Sequence, residues 1–180
     1  MKIVIVFVAL VALFLAVVVI LAAGKPDSFK VERSVAIQSG PSSVVKWVAD
    51  FHKWKAWSPW ENLDSNLQRT FSGADSGVGA KYAWEGPKSG KGNMEITAVD
   101  SQHVAIRLVF EKPFAASNES VFGMQATGTQ TKLVWTMTGP SPFFPSKIMQ
   151  VFCSMDKLIG KDFEKGLAGI KKLAESTSAP

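Results

Sequence analysis

Few residues in this sequence have side chains suited to act as an acid, a base or a metal ligand. The 180-residue chain contains two histidines, His52 and His103, and a single cysteine, Cys153. One cysteine cannot form an internal disulfide or a thiolate metal cluster. Neither histidine has a second histidine or a carboxylate at a metal-ligand spacing. The sequence therefore predicts no metal site and no cofactor.

Two carboxylates, Glu61 and Asp64, follow the tryptophans Trp57 and Trp60 closely. A carboxyl group beside indole rings would be partly desolvated, and its raised pKa would suit a general acid. The competing interpretation is structural, with Glu61 binding backbone groups at the end of a loop and Asp64 capping a turn. We favour the structural interpretation and keep both residues as the only catalytic candidates.

The elements that would position these residues begin with an apolar segment. Residues 3–23 are drawn only from Ala, Val, Ile, Leu and Phe. As a helix they would extend about 31 Å, which matches a bilayer core of about 30 Å. The competing interpretation is a cleavable signal peptide. The apolar run is longer than the apolar core of such a peptide. We predict a transmembrane anchor over residues 1–24 and a linker over residues 25–28, followed by one domain.

The predicted localisation is a single-pass membrane protein, in the bacterial inner membrane. Lys2 lies before the apolar segment, and Lys25, Lys30 and Arg33 follow it. The positive charges favour a cytoplasmic domain, whereas the short N-terminal tail suits a signal-anchor that sends the domain across. Both orientations stay open. The net charge of +5 is not gathered into a Lys/Arg run, so nucleic acid is not a predicted partner.

The rest of the chain alternates between strand and helix patterns. Residues 29–37 alternate apolar and polar side chains, as a half-buried strand does, and a short helix follows Gly40. Six further strands are predicted between Leu67 and Met137, separated by short turns. Apolar residues then recur every three or four positions from about residue 144 to 173. This pattern predicts one amphipathic helix of about thirty residues that lies across the sheet, and then a polar tail at 176–180.

The motifs in this order resemble a known family. Trp57-Ser-Pro-Trp-Glu61, Gly77-Val-Gly-Ala80, Tyr82-Ala-Trp-Glu-Gly86 and Met155-Asp-Lys-Leu-Ile159 are similar to segments of START-like, polyketide cyclase/dehydrase (SRPBCC) domains. The resemblance covers residues 29–175. It implies an α+β helix-grip fold of the START/Bet v 1-like kind, with a curved antiparallel sheet around a long C-terminal helix. Family members include lipid carriers, hormone and pigment binders, and aromatic-ring cyclases.

The resemblance also implies an apolar cavity between the sheet and the helix. Strand alternation points most of the candidate lining residues inward, the resemblance adds two rim tryptophans, and helical spacing adds two residues of the long helix. The predicted cavity residues are Trp57, Trp60, Tyr82, Trp84, Met94, Phe110, Phe122, Met124, Trp135, Met149 and Phe152.

Three functions remain open from the sequence. The leading hypothesis is membrane-anchored binding or transport of a lipid or other hydrophobic small molecule without catalysis, because almost no polar chemistry is predicted inside. Its partners would be the ligand and, through residues 3–23, the membrane. The alternatives are an enzyme of the polyketide cyclase/dehydratase type and an interaction module of an envelope or stress pathway.

Overall fold

A computed structural model describes residues 2–141 and 144–176. The helices are α1 (Lys2–Ala23), α2 (Pro41–Val48), α3 (Phe144–Phe152) and α4 (Met155–Ser176). The strands are β1 (Ser28–Ile37), β2 (Gln68–Gly73), β3 (Ala80–Gly86), β4 (Gly90–Val99), β5 (His103–Lys112), β6 (Ala116–Thr127) and β7 (Gln130–Pro140). Two short 3-10 helices, Phe51–Ala56 and Pro59–Asn62, carry most of the tryptophan-rich segment.

The seven strands form one antiparallel sheet in the order β1-β7-β6-β5-β4-β3-β2. Strands β2 to β7 follow one another as neighbours, and β1 pairs with β7 along its whole length, from Ser28 opposite Pro140 to Ile37 opposite Thr131. α4 packs mainly against β1 on the inner face of this sheet. The predicted helix-grip fold is therefore confirmed.

The C-terminal helical region differs from the prediction of one continuous helix. α3 ends at Phe152 and α4 begins at Met155, with Cys153 and Ser154 between them. Ser154 starts the new helix, because its carbonyl accepts from the Leu158 amide and its hydroxyl oxygen accepts from the Lys157 amide at 3.3 Å. A serine in this position offers the backbone an alternative to a continued helix. α3 and α4 consequently pack against different partners.

The inner face of the sheet is covered more completely at one end than at the other. At the end where β1 finishes, Ile37, Val104 and Leu133 are fully buried. α2 covers this end and contacts β5, β6 and α4. At the end where β1 starts, the inner-face residues Phe29 and Phe110 are only half-buried. The concave face is thus closed at the α2 end and less covered at the end where the chain enters from α1.

α1 is long and apolar enough to cross a membrane, and a signal sequence would have the same features. Its side chains are mostly exposed, but Val18 and Ala22 are buried, and α3 packs against this helix. At the other end of the chain, Ser176 closes α4, and the remainder of the predicted tail, 177–180, lies outside the described residues. The described linker, residues 24–27, joins α1 to the edge strand β1.

Candidate functional site

A column of aromatic rings fills the middle of the concave face. The Trp135 ring, on β7, stacks between Phe122 of β6 at 4.6 Å and Phe163 of α4 at 4.0 Å, measured between ring centroids. Trp57 meets the Trp135 ring edge-on at 5.6 Å. Gly166 lets α4 approach the Trp135 ring closely, because a Cβ at this position would come within 2.8 Å of that ring. The centre of the predicted cavity is therefore occupied by packed side chains.

Nine of the eleven predicted cavity residues belong to this core or pack against it. Three of the nine, Trp60, Trp84 and Phe110, are half-buried at its margin. The other six are at most 8 % exposed, namely Trp57, Tyr82, Met94, Phe122, Met124 and Trp135.

The expectation that Met149 and Phe152 face the sheet is wrong. They are 51 % and 63 % exposed, because both lie on α3, which packs against α1 rather than against the sheet. Because the helix is interrupted at Cys153 and Ser154, α3 does not continue along the axis of α4. Sequence periodicity alone cannot detect this change, because the apolar spacing continues through the break.

The half-buried apolar residues gather at the less covered end of the concave face. We call this region the open end and define it by Phe29, Trp84, Leu108, Phe110 and Met155. Phe29 is at the start of β1, Trp84 near the end of β3, and Phe110 opposite Gly92 near the start of β4. The rings of Trp84 and Phe110 meet edge-on at 5.6 Å. A Cβ at Gly92 would collide with the Trp84 ring, so this glycine makes room for it.

One buried polar group at the open end has no partner among the described residues. Asn118, on the inner face of β6, is 7 % exposed, and its Oδ1 atom makes no hydrogen bond. It lies opposite Leu108 and close to Gly139 and Phe29. The neighbouring inner-face residue Ser120 is satisfied, because its hydroxyl accepts from the Trp135 indole at 2.8 Å. A buried acceptor without a partner is costly, so the Oδ1 atom of Asn118 is a candidate acceptor for a hydrogen-bond donor of a ligand.

Both oxygens of the Glu61 carboxylate accept hydrogen bonds from neighbouring side chains. Its Oε1 accepts from the Tyr82 hydroxyl at 2.7 Å, and its Oε2 accepts from Arg69 Nε at 2.6 Å. Arg69 also donates to the Glu61 carbonyl oxygen at 2.7 Å. Burial, followed by the bond to Glu61, raises the pKa of Tyr82, and the bond to Glu61 raises the pKa of Arg69. These bonds hold the 3-10 segment that carries Trp60 against β2 and β3.

Asp64 caps a turn, and its pKa is lowered rather than raised as the catalytic alternative would require. Its Oδ2 accepts from the Lys88 amide at 2.9 Å and its Oδ1 accepts from the Asn66 amide at 3.0 Å. These backbone donors, Lys88 first, lower the pKa of Asp64 although the residue is only 6 % exposed. Neighbouring indoles were the signal for desolvation, but hydrogen bonds to the ionised form outweigh it.

Both histidines lie on the surface, in contact with aspartates. His103 Nδ1 is 2.7 Å from Asp100, and the His52 ring stacks on Phe71 with centroids 4.2 Å apart. On the outer face of the sheet, Arg107 pairs with Glu95. Among the described residues, no group of three His, Cys, Asp or Glu side chains is placed to hold a metal ion.

Two surface clefts lie away from the aromatic column. One of about 630 Å³ is lined by the outer-face residues Arg107, Glu119 and Thr138 and also by Asn118 and Gly139. The other, of about 410 Å³, lies between β1 and α4, beside Ser34 and Lys171. Neither is lined by the aromatic residues that the sequence indicated. The open end therefore remains the region where predicted binding residues and incomplete burial coincide.

Sequence reasoning left Phe29, Leu108 and Asn118 out of the candidate site. Leu108 follows the same alternation as Phe110, so its inward face was readable. Its position at the less covered end depends on strand register and on α2 covering the opposite end. Asn118 precedes the inward-facing Ser120 by two residues, which was a usable signal for an inward polar group.

Comparison with known proteins agrees with this architecture. The model of a family described as polyketide cyclase / dehydrase and lipid transport matches residues 28–175. Among curated proteins, no sequence matches.

Solved structures are similar in fold at low sequence identity. A protein from Mesorhizobium loti is 15 % identical, with a TM-score of 0.59, over 84 % of this chain and 100 % of that chain. The structure of Ara h 8.0201 is 14 % identical, with a TM-score of 0.51, over 83 % and 97 %. The di-domain ARO/CYC StfQ from the steffimycin biosynthetic pathway is 7 % identical, with a TM-score of 0.62, over 84 % of this chain and 52 % of that chain. At these identities the likeness shows the fold alone.

Proposed function

This chain belongs to the polyketide cyclase / dehydrase and lipid transport family, and from that premise we propose that it is a membrane-anchored binding protein for a hydrophobic small molecule. The ligand would be a lipid or an apolar metabolite, bound at the open end without catalysis. α1 would hold the domain beside the bilayer, which is the store of such molecules.

The observation that carries this proposal is the incomplete burial of large apolar side chains at the open end. Phe29, Trp84, Leu108 and Phe110 all point to the concave side, yet each stays half-buried. An apolar ligand there would remove further apolar surface from water, at about 25 cal/mol per Å². The free Oδ1 of Asn118 would accept a hydrogen bond from a hydroxyl or amide of the ligand.

The carboxylates argue against the cyclase or dehydratase alternative. A general acid must be free to exchange a proton with the substrate. Both oxygens of Glu61 are bonded to Tyr82 and Arg69, and Asp64 is held ionised by backbone amides. The side chains of His52 and His103 are 52 % and 43 % exposed and are bonded to Asp50 and Asp100.

A second candidate function is an interaction module, and the aromatic column favours it. The stacking of Phe122, Trp135 and Phe163 fills the centre of the fold without a ligand. Such a module would bind a protein partner on its surface and take up no apolar molecule. In-cell crosslinking would then capture one protein, whose identity would not depend on residues of the open end.

The test compares two neighbouring variants on β5 that face opposite sides of the sheet. Leu108→Gln places an amide at the open end, whereas Val109→Gln places it on the outer face. The full chain would be purified in detergent, and bound apolar molecules would be identified by mass spectrometry after extraction. Titration with the fluorescent probe anilinonaphthalene sulfonate would measure the affinity of the apolar site.

We expect Leu108→Gln to weaken probe binding about tenfold, which corresponds to about 1.4 kcal/mol. Val109→Gln should bind the probe as the unmodified chain does. Absence of any extracted apolar molecule, together with equal probe binding in all three proteins, would contradict the proposal and favour the interaction module.

A further inference from the structure

α3 is attached to the end of the apolar helix that precedes the domain. Val18 and Ala22 are 8 % and 0 % exposed, in contrast to most of α1, and α3 is the element that packs against α1. The two residues are four positions apart, so they lie on the same face of α1. α3 therefore covers one side of the last turns of this helix.

This contact fixes the depth of α3 if α1 spans a bilayer. Val18 precedes Ala23, the last residue of α1, by five residues, which is about 7.5 Å along the helix axis. Helices that lie in the membrane interface bury their apolar face by about 5–10 Å. A helix that touches Val18 is thus at the boundary between headgroups and acyl chains.

The side chains of α3 are arranged as this location requires. Its polar residues face the protein: Lys147 Nζ is 2.5 Å from Asp27 in the linker, and Gln150 donates to the Ser141 hydroxyl oxygen at 2.7 Å. Its apolar residues Met149 and Phe152, three positions apart, are exposed. A soluble helix would have the opposite arrangement, with apolar residues inward and polar residues outward.

The start of α4 continues the same surface. Leu158, in the first turn of α4, is 49 % exposed. Lys157 and Lys161 beside it are exposed and form no ion pair within the described part of the chain. Lysines at this level attract anionic lipid headgroups. Exposed apolar residues flanked by free lysines fit the surface of a bilayer that contains anionic lipid.

We propose that α3, with the first turn of α4, is an interfacial membrane helix that holds the open end against the bilayer. This inference rests on the anchor in the proposed function. Met155 of the open end directly follows the α3–α4 break, and Phe29 is the second residue of β1 after the linker that Lys147 binds. The mouth of the concave face therefore meets the lipid, and a hydrophobic molecule can pass between them without crossing water.

The test measures membrane depth at single positions of the full chain. Cys153 is the only cysteine, so Cys153→Ser gives a cysteine-free background. Phe152→Cys and Met149→Cys, each labelled with the environment-sensitive fluorophore NBD, report on α3. Gln125→Cys, exposed near the end of β6 at the α2 end, is the matched control. The proteins would be reconstituted in vesicles of phosphatidylcholine and phosphatidylglycerol, with nitroxide lipids as quenchers at shallow and deep positions.

We expect blue-shifted NBD emission at 149 and 152 and quenching by the shallow nitroxide, with water-like emission at 125. Carbonate extraction of the same vesicles reports on α1 separately. If the chain resists extraction but the labels at 149 and 152 behave like the label at 125, the interfacial helix is wrong and the anchor stands. If carbonate releases the chain, the anchor is wrong, and this inference is overturned with it.

Discussion

At the residue scale, Glu61 shows how a carboxylate beside tryptophans can be structural. It is 7 % exposed, and its charge is balanced by Arg69, whose side chain is itself one quarter exposed. The pair joins the 3-10 segment Pro59–Asn62 to β2, and the Tyr82 hydroxyl joins the same carboxylate to β3. Three elements meet at one side chain, so its loss should affect folding rather than turnover.

We predict that Glu61→Gln lowers the free energy of unfolding by about 2 kcal/mol, because it weakens charged hydrogen bonds to Arg69 and Tyr82. Thermal unfolding of the detergent-solubilised chain would measure the change. Glu95→Gln is the matched control, since Glu95 pairs with Arg107 on the exposed outer face, where such pairs contribute less than about 1 kcal/mol. Equal effects of the two variants would contradict the prediction.

Asp64 gives a prediction about pH. Its pKa in the folded chain is lower than the unfolded value of about 3.9, because the Lys88 and Asn66 amides bind the ionised form. The resulting stabilisation is complete above that unfolded value and is lost as the pH falls through the folded pKa. Asp64→Asn should therefore be less stable than the unmodified chain at neutral pH, and the difference should shrink below about pH 4.

Unfolding by urea at a series of pH values would measure this difference for Asp64→Asn. Asp75→Asn, at an exposed position in the loop after β2, is the matched control for the loss of one carboxylate. A stability difference for Asp64→Asn that stays constant from neutral to acidic pH would show that the carboxylate is not held by these amides.

At the element scale, α4 is held on the sheet by close approach as well as by burial. Arg33 of β1 binds Asp156 at 2.7 Å and Glu164 at 2.9 Å, so it connects β1 to two turns of α4. Gly160 lies between those turns and leaves room for the guanidinium group. Further along, Gly166 lies against Trp135, which cannot move because Phe122 and Phe163 stack on both of its faces.

We predict that Gly166→Ala destabilises the chain by about 1–3 kcal/mol through overpacking against Trp135. Helix propensity alone would give a stabilisation of about 1 kcal/mol, so the two effects have opposite signs. Ala168→Gly, at an exposed position of the same helix, should cost about 1 kcal/mol by propensity. Thermal unfolding of both variants measures the contrast, and a more stable Gly166→Ala chain would refute the close packing.

The sequence predicted the strands well because their signal is local. Alternation set the inward faces of β4 to β7, and the burial of Met94, Phe122 and Trp135 follows it. No local sequence pattern marks the break between α3 and α4, because apolar residues keep helical spacing across Cys153 and Ser154. Met149 and Phe152 were therefore assigned to the sheet. Which of the inward residues form the open end depends on contacts between distant elements, and periodicity contains no information about those.

At the scale of the whole molecule, the domain and the apolar helix are mechanically connected. The linker between them is short, the Asp27 carbonyl oxygen accepts from the Ser141 amide at 2.6 Å, and its carboxylate binds Lys147. These contacts join the linker to the domain, and α3 packs on α1 itself, where Val18 and Ala22 are buried. Together they orient the open end relative to α1.

We accordingly predict that the chain isolated from membranes retains residues 2–23. N-terminal sequencing and intact mass spectrometry of the carbonate-resistant fraction would measure this. An anchor of about 21 apolar residues should resist carbonate extraction, because each buried residue adds to its transfer free energy. As a matched control, Leu10→Lys with Leu13→Lys interrupts the apolar run without touching Val18 or Ala22, where α3 binds.

These two lysines near the centre of α1 should release the chain from the membrane, at a cost of about 2.5–3.5 kcal/mol each. The domain should still fold, since neither position belongs to the buried face of α1. A mature chain that begins near Gly24 would instead identify the helix as a cleaved signal. The domain would then bind its ligand without a membrane anchor. The surface of α3 that α1 covers would be exposed.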